Sequence, residues 1–105
     1  MNNATLDTTQ LTIGLQLGRW RADPYPTLDV RAPASWTIRQ VNAALLTLAA
    51  EIEMLTPPTE RWVVRMSPSS AGSASRGCVY IELFDPNNDF AELDRAMRLL
   101  SQLAG

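Results

Sequence analysis

The sequence predicts an α+β fold: a two-layer sandwich of four-stranded, mainly antiparallel sheet with two helices on one face, in the order ββαββα. Three observations predict it. Residues 11–18 alternate apolar and polar, the period of a half-buried strand. Residues 38–55 and 90–104 place apolar residues three and four apart, the period of a helix face. Two strand-like runs, RWVVRM (61–66) and CVYIELF (78–84), lie between those helices in the chain. Strand order does not follow from these patterns.

Taken in order, residues 1–9 are polar and are expected to be flexible. In LTIGLQLG, Leu11, Ile13, Leu15 and Leu17 fall on one side, with Thr12, Gly14, Gln16 and Gly18 on the other. Pro24 and Pro26 predict a turn or irregular loop. A short strand, TLDVR, follows, with Leu28 and Val30 pointing one way and Pro33 ending it. Thr37 and Gln40 form a capping box, and Trp36 and Val41 stand where a hydrophobic staple would. The helix they start is expected to run from Ile38 to Leu55 and to stop at Pro57-Pro58. Its core stripe is Ile38, Val41, Leu45, Leu48, Ile52 and Leu55. The second helix has two candidate caps, Asp85 with Pro86 behind it, or Asp89 with Glu92. Its stripe is Phe90, Leu93, Met97, Leu100 and Ala104.

The 105 residues are expected to form one domain, with 46% hydrophobic and 19% charged residues. Net charge is −2. All nine basic residues are arginine, and neither half of the chain has the basic density of a phosphate-tracking surface. The lone cysteine, Cys78, excludes an internal disulfide. The polar N-terminus shows no signal-peptide pattern, and no apolar run approaches membrane-spanning length. A cytoplasmic protein that does not enter a membrane is expected; small size and the arginine-only basic set suggest a bacterial or phage origin.

The chemical inventory argues against catalysis. Without histidine or lysine the chain lacks the commonest general base and metal ligand, and has no Schiff-base nucleophile. SPSSAGSASRG (67–77) has glycines at 72 and 77, echoing a phosphate-binding loop. It lacks the Lys-Ser/Thr that should follow and leads into a strand. It is expected to be a flexible Ser-rich hairpin loop. Cys78 has Arg76 nearby, but a strand cysteine is usually a packing residue. Glu82, Asp85 and Asp89 could gather round a divalent cation; a surface charge and two helix caps is the simpler reading. No catalytic residue, cofactor or metal is expected.

Two surfaces carry the functional expectation. If Trp62, Val64 and Met66 and Val79, Ile81 and Leu83 face the helices, then Arg61, Val63, Arg65, Tyr80, Glu82 and Phe84 face outward. Matching inner faces puts Arg65 opposite Tyr80, Val63 opposite Glu82 and Arg61 opposite Phe84, with an arginine over a ring. Such residues are enriched in binding surfaces. On the first helix, Ala43, Leu46, Thr47, Ala50 and Met54 lie opposite the core stripe with few charges, a face covered by the second helix or by another copy. The expected function is a small non-catalytic protein–protein interaction module, an adaptor, inhibitor or chaperone-like subunit. It binds a partner protein through the sheet face and forms a homodimer through the first helix. The alternatives are a single-stranded nucleic-acid-binding module on the same face, which the acidic balance weighs against, and a small carboxylate–metal or thiol enzyme.

Overall fold

The computed structural model describes residues 8–20, 23–83 and 89–104. Strands β1 (Thr12–Trp20) and β2 (Asp23–Arg31) lead to helix α1 (Ile38–Leu55). Strands β3 (Val63–Ser67) and β4 (Arg76–Glu82) lead to helix α2 (Phe90–Ser101). The sheet has the order β1-β2-β4-β3, and every neighbouring pair is antiparallel. α1 packs over β4 and β3, and α2 over β2 and β1. The predicted ββαββα sandwich is therefore the observed fold.

One strand departs from its expectation. The segment holding Pro24 and Pro26 is not a turn; it is the first half of a nine-residue strand paired with β1. Two facts explain this. The pairing of β2 with β4 begins only at Thr27 opposite Tyr80, so the prolines sit where the strand has one neighbour and a missing N–H costs least. Both prolines also point inward and are buried, extending the stripe of Leu28 and Val30.

α1 spans the predicted residues, and its cap forms as expected. The Gln40 amide donates to Thr37 Oγ1 at 3.1 Å, and the Thr37 amide donates to Gln40 Oε1 at 2.7 Å. Val41, Ala44, Leu45, Leu48 and Ile52 are buried, while Ile38 and Leu55 at the helix ends are partly open to solvent. α2 is capped by Asp89, whose carboxylate accepts from the Glu92 amide at 2.9 Å. The alternative cap, Asp85 with Pro86, lies outside the described residues. The α2 stripe is rotated from its expected position. Ala96, Leu99 and Leu100 are buried, Met97 is half-buried, and Phe90 is 75% exposed. Arg95 bonds Glu60 at 2.6 Å, tying α2 to the connection before β3.

The core lies between the sheet and the helices. Leu28 and Val30 of β2 and Val79 and Ile81 of β4 are fully buried, as are Val41, Leu45 and Ile52 of α1. Gly77 marks the closest approach of α1 to the sheet. A Cβ there would stand 2.5 Å from Leu45 Cδ1 and 3.1 Å from the Ser67 carbonyl oxygen. The glycine therefore serves packing, not phosphate binding. Trp62 packs against this core from just before β3, with its indole N–H buried and unpartnered among the described residues.

Candidate functional site

The sheet face turned away from both helices is built from alternate residues of all four strands. Thr12, Arg31 and Arg76 form one row across it. The next row is Gly14, Asp29, Cys78 and Ser67, and the next Gln16, Thr27, Tyr80 and Arg65. Val63 stands opposite Glu82 at the β3 edge. The register expected for β3 and β4 is the observed one at both of its described pairs, because only that parity turns Val64, Met66, Val79 and Ile81 to the core together. Four of the six expected site residues, Val63, Arg65, Tyr80 and Glu82, are thus brought together. Arg61 is exposed in the lead-in to β3, which starts two residues later than predicted. Phe84, and with it the pairing to Arg61, lies outside the described residues.

The interactions within the face differ from those expected. Arg65 is opposite Tyr80, yet its guanidinium turns diagonally to Glu82, with Nε 2.7 Å from Oε1. That bond and the adjacent negative charge push the Arg65 pKa up. Tyr80 takes Tyr25 as its ring partner instead, edge to face, with centroids 5.7 Å apart and planes at 68°. Tyr25 lies diagonally from Tyr80, since Thr27 is directly opposite, and such diagonal contacts are within reach of aromatic side chains. Thr27 is buried beside this pair and donates its hydroxyl to the Tyr25 carbonyl at 2.8 Å.

At the other end Arg31 and Arg76 face each other, a repulsive cross-strand pair. Asp29, on the same face, offsets it. Arg76 Nε is 3.4 Å and Arg31 Nε 3.8 Å from its carboxylate. Arg76 is therefore matched to Asp29 rather than held for the Cys78 thiol. Burial pushes the Cys78 pKa up, although backbone hydrogen bonding to Ser67 works the other way. A half-buried thiol of that kind is a poor nucleophile at neutral pH.

Two shallow depressions open on this face and share Ser67 and Cys78. The larger, about 540 Å³, is walled by Tyr25, Tyr80 and Glu82 and floored by Gly18 and Thr27. The smaller, about 320 Å³, lies between Asp29, Arg76 and the serines of the β3–β4 loop. That loop is tied to α1. The Ser69 amide donates to Asn42 Oδ1 at 2.6 Å, and the Ser69 hydroxyl bonds the carbonyls of Ser73 and Ala74 around the 3-10 turn Ala71–Ser73.

Where they are described, the carboxylates of the alternative cation site have other partners. Glu82 bonds Arg65, Asp89 caps α2, and Asp85 is outside the described residues. No group of three potential metal-ligating side chains occurs among the described residues. The α1 face of Ala43, Leu46, Thr47, Ala50 and Met54 is exposed, with Leu46 at 60% and Met54 at 85%. α2 leaves these five residues uncovered. No helix among the described residues is long and apolar enough to cross a membrane.

Sequence reasoning missed Tyr25, Thr27 and Asp29, the β2 residues at the centre of the face. The alternation was present: Tyr25, Thr27, Asp29 and Arg31 against Pro24, Pro26, Leu28 and Val30. Treating the prolines as turn-formers concealed it. No protein-family model matches the chain, and no match to it is found among curated proteins or solved structures.

Proposed function

We propose that the protein is a non-catalytic interaction module that binds a partner protein through its open sheet face. The observation that carries this reading is the Tyr25–Tyr80 pair beside the Arg65–Glu82 ion pair, on a face that neither helix covers. Tyrosine and arginine supply large contact area and directional hydrogen bonds, and they are enriched where proteins recognise one another. The shallow depressions suit side chains of a protein surface better than an enclosed small molecule.

The charge pattern favours a protein over single-stranded nucleic acid. Arg31, Arg65 and Arg76 each have a carboxylate within ion-pair distance on the face itself. Asp29 and Glu82 offset most of that positive charge, whereas a phosphate backbone is held by a surface with a clear excess of basic side chains. The raised thiol pKa of Cys78 weighs against a cysteine enzyme. The exposed α1 stripe, expected from the sequence to be a dimer interface, is in this reading a second apolar surface for a partner protein, and the roles of adaptor, inhibitor or chaperone-like subunit and a cytoplasmic setting belong to the same reading.

The test is capture from the source cell's lysate with tagged protein, with proteins and nucleic acids both identified. The reading predicts a dominant protein that is retained as salt is raised and lost with Arg61→Glu/Arg65→Glu. Co-purifying nucleic acid that disappears steeply with salt would move the face to the nucleic-acid reading.

A further inference from the structure

We propose that the open edge of β1 is where two copies of this chain join, the β1 strands pairing antiparallel to make one eight-stranded sheet. This is separate from partner binding by the outer face and stands without it.

The two edges of the sheet are built differently. The β3 edge is five residues long, carries Arg65, and is followed at once by Pro68. Short length, charge and proline are the devices that keep a strand edge from pairing with another chain. The β1 edge is nine residues long; Arg19 comes near its end, and the run from Thr12 to Gly18 before it contains no charge and no proline. β2 is its only strand neighbour among the described residues, so one side of its backbone offers N–H and C=O groups to a further strand.

Its helix-side residues are also incompletely covered. Leu28, Val30, Val79 and Ile81 on the inner strands are fully buried. On β1, Ile13 and Leu15 are only half-buried, and Leu17 is 39% exposed. A strand added beside β1 would supply the missing neighbours.

The occupant is a second copy because the strand is its own complement. Pairing the uncharged run with itself places a two-fold axis at Leu15. Leu15 then meets Leu15 of the second copy, and Ile13 meets Leu17, all on the helix side. Gly14 meets Gln16 and Thr12 meets Gly18 on the open side, with no like charges opposed in this run. A one-residue slip would set leucines against polar positions. The α1 stripe is apolar, but nothing in its pattern selects a second copy over another partner.

Sedimentation velocity from low to high micromolar concentration tests this, with two double variants. A Cβ at Gly14 has no heavy atom within 4 Å and Gln16 is exposed, so a single folded chain accommodates both changes. The wild type is expected to sediment as two chains at the upper end of the range, with a melting temperature that rises with concentration. Gly14→Lys/Gln16→Lys sets lysine against lysine twice across the axis. It should sediment as one chain with an unchanged circular dichroism spectrum. Gly14→Lys/Gln16→Glu sets unlike charges opposite and should sediment as two chains again. A wild type that is one chain throughout overturns the proposal. So does a dimer that survives the lysine pair, which would move the contact to Leu46 and Met54, or a lysine–glutamate variant that stays single.

Discussion

On the inner face of the sheet, Leu28, Val30, Val79 and Ile81 are sealed from water, whereas one residue along the same strands Asp29 and Tyr80 stand on an open surface, Asp29 paired with Arg76 and Tyr80 with Tyr25. The inner face is held by area removed from water, which rewards fit and tolerates little change in volume. Among the described residues the outer face is held by exposed ion pairs and one aromatic contact, which add little to folding. The difference teaches where function can reside. Residues that the fold scarcely needs, spaced by the paired strands beneath them, are free to serve recognition.

Substitutions that break this contrast should rank by face. Leu28→Ala removes a fully buried side chain from a central strand. It should cost about 2–5 kcal/mol, read from the midpoint of urea unfolding. Gly77→Ala drives a methyl group towards Leu45 and the Ser67 carbonyl, overpacking the contact between α1 and β4. A loss of about 1–3 kcal/mol is expected in the same measurement. If that variant were neutral, the helix would not be seated on Gly77 as described. Asn42→Ala removes the acceptor of the Ser69 amide at the boundary between the faces. It should cost about 1 kcal/mol and speed hydrogen exchange at Ser69 above all other loop amides.

The smallest effect belongs to the outer face. Cys78 has a raised pKa, so little thiolate exists at neutral pH, and the fraction grows only as pH rises above the ordinary thiol range. Alkylation of the folded chain should be slower than that of free cysteine at pH 8 and should climb towards it in more alkaline buffer. A rate at pH 7 above that of free cysteine would show an activated thiol and reopen the enzymatic reading.

What the sequence made legible follows the same division. The capping box at Thr37 and Gln40 is a local device, complete within four residues, and it formed as expected. The pairing of Arg65 with Tyr80 and of Val63 with Glu82 could be inferred because two apolar faces had to coincide. The place of β2 between β1 and β4 could not, since it depends on contacts distant in the chain. With that order hidden, nothing linked Tyr25 to Tyr80 or Asp29 to Arg76. Pro24 and Pro26 misled for a physical reason: a rule about missing donors gives the wrong answer where a strand is paired on one side and its prolines are buried. Spacing alone puts Phe90 on the core stripe, but a modest rotation of α2 leaves it in solvent while Ala96 and Leu99 take the buried positions.

In the function proposed here the outer face recognises a partner and is not needed for the fold. Its most direct test is Tyr25→Ala/Tyr80→Ala, with thermal unfolding and partner capture measured on the same preparation. The account predicts a melting temperature lowered by no more than about 10 °C and capture reduced to background. Capture at the wild-type level by the folded variant would contradict it, and a chain that no longer folds would show the tyrosine pair to be part of the structure's support rather than a surface free to bind.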